Sequence, residues 1–202
     1  MKKPAKRPRN AAATRAAILA SARRAFARAG YDGAGVREIA RKAGVTAMLV
    51  NRYFGSKERL FAEVAADTMA KPIILTPEIL GSRHAGEAMA AVLIRLTKNE
   101  NTPLDGFQIM LRSASSRRAA GIGRKEIEKH HLKTMAAALR GKHAAERAAL
   151  TLALVAGVQV IRQMIGLSAL AKADPKVLTG ILAPLFQQLI DGDSHPINPA
   201  RA

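Results

Sequence analysis

Asn51 and Arg52 lie side by side in the segment 47–54, AMLVNRYF. At 100° per residue, a helix there puts Val50 and Phe54 on one face and Met48 and Arg52 opposite, with Asn51 beside them. A carboxamide and a guanidinium offered together from the wet side of a short helix are groups for reading nucleic acid. Asn pairs bidentately with adenine and Arg with guanine, and either group serves equally well as a phosphate ligand. Ala47, at the N-terminal end where such a helix comes nearest the bases, is small enough to permit close approach.

The other reactive groups do not assemble a comparable site. His130 and His131 stand near Glu126 and Glu128, but adjacent helical residues point about 100° apart, so the two imidazoles cannot chelate one metal together. Glu126 and His130, four residues apart, form at most a surface pair. Ser115-Ser116 lacks a glycine elbow, no glycine-rich phosphate loop opens a helix, and no paired carboxylates stand out. With no cysteine, thiol nucleophiles, disulfides and cysteine-based zinc sites are excluded, and the composition suits a reducing cytoplasm. No cofactor or metal is expected, and an enzyme with an accessory DNA-binding head is the minor alternative.

The elements that must position Asn51 and Arg52 are two short helices across a glycine corner, 36–54, VREIARKAGVTAMLVNRYF. The first runs from Val36 to Ala43, with Ile39, Ala40 and Ala43 on one face and Arg37, Glu38, Arg41 and Lys42 on the other. Gly44 follows where a helix ends on a left-handed residue, Val45 plugs the angle, and Thr46 is a good N-cap for the helix that begins at Ala47. An earlier helix, Ala11 to Ala29, carries Ile18, Ala22, Ala25 and Phe26 on its buried stripe and ends at Gly30. Ser56 caps a fourth helix from Lys57, with Leu60, Phe61 and Val64 as its apolar contacts. A lysine in a first turn opposes the helix dipole, a cost that a phosphate partner would offset.

This whole stretch, TRAAILASARRAFARAGYDGAGVREIARKAGVTAMLVNRYFGSKERLFAEV (14–64), resembles the DNA-binding domain of the tetracycline-repressor (TetR) family. The matching parts are FARAGYDG, VREIARKAGV, a recognition helix closing on RYF, and GSKERLF opening the next helix. The resemblance implies a DNA contact set of Arg37, Thr46, Ala47, Met48, Asn51, Arg52, Tyr53 and Lys57. Two positions depart from the family pattern: Met48 stands where glycine or alanine is common, and Asn51 where a phosphate-binding tyrosine is usual.

Alanine, leucine and isoleucine recur at helical rather than alternating spacing, so an all-α chain is expected: an N-terminal three-helix helix-turn-helix domain and a larger helical ligand-binding and dimerisation domain. The chain of 202 residues is 49% hydrophobic and carries a net charge of +18, which points to DNA, RNA or an anionic membrane. The charge is concentrated at the front, with 16 basic against 5 acidic residues through Lys71 and 17 against 10 in the longer remainder. Residues 1–10, MKKPAKRPRN, read as a disordered basic arm that follows phosphates, enters the minor groove, or simply adds nonspecific affinity. Arg15, Arg23 and Arg24 break any apolar run, so no signal peptide is expected.

The head is expected to span 11–71 and the body 72–191, with 192–202 a disordered tail. Pro72 and Pro77 punctuate a loop from Pro72 through Gly86. Helices are expected over 87–98, 103–115, 118–140, 144–171 and 175–190, with stops at Asn99 to Thr102, Gly141 and Asp174-Pro175. The apolar run Ala149 to Ile161 falls short of the roughly 18 uncharged residues of a spanning helix, being bounded by Arg147 and Arg162, so no membrane partner is expected. It reads instead as a helix buried on most sides, in a core and against a second copy, with Ala153 and Gly157 allowing close approach. The last two helices resemble the dimerisation pair of TetR-family bodies, and MIGLSALAKADPKVLTGILAPLFQQLI looks like the C-terminal end of one subgroup. That likeness implies Ala153, Gly157, Leu182, Leu185, Phe186 and Leu189 at a homodimer interface.

An effector pocket is expected in the body. Met110, Met135 and Met164 supply adaptable thioethers, and Gln159, Arg162 and Gln163 interrupt an otherwise apolar helix, although the methionines could equally fill core gaps. The expected function is a dimeric, sequence-specific transcriptional regulator of double-stranded DNA with a palindromic operator, a repressor released by a small-molecule effector. The main alternative is a nonspecific architectural DNA-binding protein, which charge alone would favour.

Overall fold

The structure is a computed structural model that describes residues 11–70, 73–98 and 105–192. Among these residues every regular element is helical. The basic arm 1–10, the tail beyond residue 192, Pro72 and the stop at Asn99 to Thr102 lie outside the described residues. The chain forms two compact units, one from residues 11–70 and 105–126 and the other from 73–98 and 127–192.

In the first unit, α1 (Ala11–Gly33), α2 (Val36–Lys42), α3 (Ala47–Phe54) and α4 (Lys57–Met69) are joined by α7 (Asp105–Ser113) and α8 (Arg117–Ile127). Its core is Ile18, Ala22, Phe26, Ile39, Val50, Phe54, Leu60 and Phe61, closed on the other side by Ile109 and Ala119. Phe26, Tyr31 and Phe61 pack as an aromatic trio, with Phe61 edge-on to Phe26 at 5.0 Å and to Tyr31 at 5.1 Å. Gly30 breaks the helical dihedrals of α1 at φ 66° and ψ −175°, as the sequence requires of a terminating glycine.

The boundary read from sequence at residue 71 therefore needs correction: α7 and α8, assigned to the body, pack on the head. Polar contacts fasten them there. Arg23 pairs with Asp105 at 2.8 Å, Arg112 donates to the Arg28 carbonyl at 2.6 Å, and the buried Tyr31 amide donates to the Ser113 hydroxyl at 2.9 Å. Sequence reading missed this because such contacts join residues about 80 positions apart, and no local pattern encodes them.

The second unit contains α5 (Pro77–Leu80), α6 (Ala85–Leu96), a π-helical turn (Glu128–Leu132) leading into α9 (Lys133–Ala138), α10 (Ala144–Val158) with a second π turn (Gln159–Met164), α11 (Ser168–Ala171) and α12 (Pro175–Asp191). Pro77, expected as loop punctuation, instead occupies the first turn of α5, where its missing N–H costs nothing, with Thr76 as N-cap. The core is Met89, Leu93, Met135, Ala148, Leu178, Leu182 and Phe186. α6 and α12 approach closely at Gly86, where a Cβ would stand 2.4 Å from the Ala183 carbonyl oxygen and 2.6 Å from the Gln187 nitrogen. The Gln187 side chain closes the contact by accepting from the Gly86 amide at 2.9 Å.

The helix expected over 118–140 is interrupted by the first π turn, and the one expected over 144–171 ends near Gly166, at φ 71°, before α11. Ala144–Met164 is one 21-residue helical run, long and apolar enough to cross a membrane by length and composition. Only 22% of its apolar window is buried within the chain, so the chain's own core covers little of this helix. Its N-terminal end is fastened by Arg147, which donates to the Leu189 and Ile190 carbonyls at 3.0 and 2.9 Å and so satisfies the last turn of α12.

Candidate nucleic-acid interface

The corner that presents α3 is built by Gly44, at φ 68°. Its amide donates to the Arg41 carbonyl at 3.1 Å, and the Val45 amide reaches back to the Ala40 carbonyl at 2.9 Å, completing the left-handed helix stop. Thr46 then caps α3, its hydroxyl accepting from the Leu49 amide at 3.3 Å. Behind the corner, Ser21 on α1 donates to the Ile39 carbonyl at 2.9 Å, a buried bond that ties α2 to the brace helix.

Val50 and Phe54 are buried under α3, which fixes its rotation. Met48 is 78% exposed, and Arg37, Thr46, Asn51 and Arg52 are exposed as well, so these five side chains share open solvent around the corner. Ala47 and Tyr53 are half-buried. The geometry leaves the outer face of α3 free to enter a groove, with apolar Met48 available to meet a thymine methyl beside the polar Asn51 and Arg52.

Lys57 is also half-buried and is not a loose surface lysine. Its ammonium lies 4.7 Å from the centroid of the Tyr31 ring and 3.5 Å from the Asp32 carbonyl oxygen, to which it donates. Ser56 caps α4 by accepting from the Arg59 amide at 3.2 Å. The adjoining Glu58 carboxyl is held below its ordinary pKa by its own backbone amide, by the Ser56 hydroxyl and by Arg118, which pairs with it at 2.5 Å. Tyr31 is pushed up by burial and by the Glu58 charge. Sequence reading did not anticipate Arg118 or Asp32 here; Ser116 on the α8 approach also donates to the Asp32 carboxylate at 3.3 Å. Arg15 packs over the Phe54 ring at 5.0 Å and pairs with Glu63, bracing α1 against both α3 and α4.

The residues expected to form an effector pocket divide between the two units, with Gln159, Arg162, Gln163 and Met164 on one π turn. Met110 belongs to the first unit, where it packs against the head core with its sulfur against Gly123. Met135 is fully buried in the second core. Arg162 is 5% exposed and serves as an internal staple: its guanidinium donates to the Leu170 carbonyl at 3.0 Å, the Ile94 carbonyl at 2.6 Å and the Thr97 hydroxyl at 2.5 Å. Burial pulls its pKa down from the usual guanidinium value. Gln159 is buried, while Gln163 and Met164 are half-buried on the same π turn. A groove of about 560 Å³ lies between α6 and α12 in the second unit, and none of these six residues lines it.

Of the residues expected at a dimer interface, Leu182 and Phe186 are buried in the chain's own core, so they are unavailable to a partner. The four-residue spacing Leu178, Leu182, Phe186 is the inward stripe of α12. Val177, Ile181 and Leu185, one position earlier in each turn, are 56%, 57% and 45% exposed, and Ala153, Gly157 and Leu150 on α10 are exposed too. Leu189 is half-buried.

Residues 18–64 match the family of bacterial regulatory proteins, tetR family, and residues 84–190 match the tetracyclin repressor-like C-terminal domain. The HTH-type transcriptional repressor AcnR of Corynebacterium jeikeium is 26% identical over 173 residues, which cover 85% of this chain and 80% of that protein. AcnR of Corynebacterium efficiens is 40% identical over 58 residues, covering 29% of this chain and only 31% of that protein. Among solved structures, a transcriptional regulator from Rhodococcus sp. Rha1 is 27% identical and superposes with a TM-score of 0.62, covering 90% of this chain and 98% of that one. With both halves matched, the C-terminal match alone spanning more than half of its length, this chain belongs to the tetracycline-repressor family of transcriptional regulators.

Proposed function

We propose that the protein is a cytoplasmic, non-enzymatic repressor that binds a palindromic operator as a homodimer and is released by a small-molecule effector. The observation that carries this reading is the capped corner of α2 and α3, which holds Met48, Asn51 and Arg52 outward over a head core closed by Val50 and Phe54. Dimerisation is supported by the exposed apolar side chains Leu150, Val177, Ile181 and Leu185 on α10 and α12, together with the small exposed Ala153 and Gly157. Two copies joined through that face would set two recognition helices in successive major grooves, about 34–36 Å or a multiple apart. The effector then favours the DNA-free form by a coupling of about 1–3 kcal/mol.

The test is a competition between the chain's own promoter fragment and bulk DNA at physiological salt. A specific repressor prefers the promoter by a factor of about 10³ or more, whereas an architectural binder, the reading its charge of +18 favours, shows almost no preference. Replacing Ile181 and Leu185 together by Glu tests the dimer: sedimentation should then show a monomer, and the operator footprint should shrink or vanish. A double variant that stays dimeric defeats the α12 assignment.

A further inference from the structure

We infer that the groove between α6 and α12 is a binding site for a small apolar molecule carrying one negative charge, such as a carboxylate on a hydrocarbon chain. The groove lies wholly within the second unit and has a volume of about 560 Å³. Its two ends differ in chemistry. Where the end of α6 meets the start of α12, the exposed Arg95, Lys98 and Lys176 all line the groove, and no ion pair engages any of the three among the described residues. The first turn of α12 opens at the same end, but the Asp174 carboxylate already accepts from the Lys176 amide at 2.7 Å, so the positive charge of this end comes from the three side chains. Toward the other end the lining becomes Ala91, Gly180 and Ala183, small and uncharged, before Glu87 closes it.

Three cations around one mouth would repel one another, and an anion there relieves that repulsion. The small side chains beyond it leave room for an apolar body about 16 Å long, the rise of α6 from Glu87 to Lys98. Glu87 at the far end disfavours a second negative charge, so a monoanion fits better than a dicarboxylate. None of the residues expected from sequence to hold an effector lines this groove, because α6 and α12 are about 90 positions apart and only packing at Gly86 brings them together.

The inference rests on the effector-responsive reading above, so binding and DNA release are measured separately. The probe is decanoate, titrated calorimetrically into the full-length protein, with decanol and decyltrimethylammonium as neutral and cationic controls. Decanoate should bind saturably with one molecule per chain, and decanol at least about tenfold more weakly. Gly180→Leu is the blocking variant. A Cβ there meets nothing within 4 Å, so the new side chain occupies the groove without touching the core, and leucine favours the helix over glycine. It should weaken decanoate by at least about tenfold while the far-UV circular dichroism and the unfolding midpoint are kept. Arg95→Glu with Lys176→Glu should weaken decanoate by about tenfold and improve the cationic control. Equal affinity for acid and alcohol, or undiminished binding to Gly180→Leu, overturns the site. So does a change of oligomeric state in Gly180→Leu, which would make the groove a contact between copies. If decanoate binds and is blocked as described but operator affinity never changes across its saturation range, the site stands and the effector reading fails.

Discussion

Gly30→Ala should damage the first unit in two additive ways. At φ 66° and ψ −175° the residue occupies a backbone region essentially reserved for glycine, and a side chain there costs about 1–3 kcal/mol. The added Cβ would also fall 2.3 Å from the Arg112 carbonyl oxygen, at the end of α7. That obstacle is backbone, so relief requires moving α7, at about 1–3 kcal/mol for a typical overpacking strain. The expected loss is about 2–6 kcal/mol, a large share of the roughly 5–15 kcal/mol that stabilises a typical domain. Gly121→Ala on α8 is the control, because a Cβ there meets nothing within 4 Å and its φ is helical; it should be neutral or stabilising by up to about 1 kcal/mol. The two tyrosines of the chain, Tyr31 and Tyr53, both lie in the first unit, and there is no tryptophan. Urea unfolding followed by tyrosine fluorescence therefore reports the head selectively, while far-UV circular dichroism reports both units. Gly30→Ala should lower the fluorescence midpoint well below the control. A stability of the head within about 0.5 kcal/mol of wild type would refute both the strain and the contact with α7.

Three further outcomes are expected. Lys57→Ala should weaken all DNA sequences alike and flatten the salt dependence by about one ion, whereas Arg52→Ala, if it reads guanine, should relax preference at one position by about 1–3 kcal/mol; equal losses on every base variant would make Arg52 a phosphate clamp. Arg162→Ala should remove the donor to the Ile94 and Leu170 carbonyls and destabilise the second unit by about 2–4 kcal/mol, visible by circular dichroism while the tyrosine transition holds still; coincident shifts would refute a local staple. Glu58 has a folded pKa below its ordinary 4.5, so its contribution is present above about pH 4.5 and is lost as pH falls through the lowered folded value; Glu58→Gln should flatten acid destabilisation of the head in that window, and an unchanged acid limb would count against the Ser56 and Arg118 contacts.

Local chemistry was enough to place the head's elements from the amino-acid order. Gly44, Thr46 and Ser56 act on neighbours within five residues, so the helix stop and both caps follow from residue type. The burial of Val50 and Phe54 and the exposure of Met48, Asn51 and Arg52 follow equally from helical period. What period could not say is how a group already satisfied by one neighbour would be used. Lys57 reads as a bare first-turn cation, yet it rests on Tyr31, 26 positions earlier, and Glu58 is claimed by Arg118, 60 positions later.

Only tertiary packing decided which helices share a core. A thioether on an amphipathic helix looks the same whichever core it enters, so Met110 and Met135 were grouped by type although they belong to different units. The stripes Leu178–Leu182–Phe186 and Val177–Ile181–Leu185 repeat at the same four-residue interval and are both apolar, so sequence cannot tell the inward one from the outward one. The decision comes from α6, whose Gly86 lets it press backbone to backbone on α12 and so fixes the rotation of that helix. Amino-acid order determined the helices and caps of the head and the outward face of α3, because those depend on interactions over a few residues. Which faces are covered, and where the groove between α6 and α12 lies, depends on contacts across about 80 to 100 positions, such as Tyr31 to Ser113 and Gly86 to Gln187, that exist only once the chain has folded.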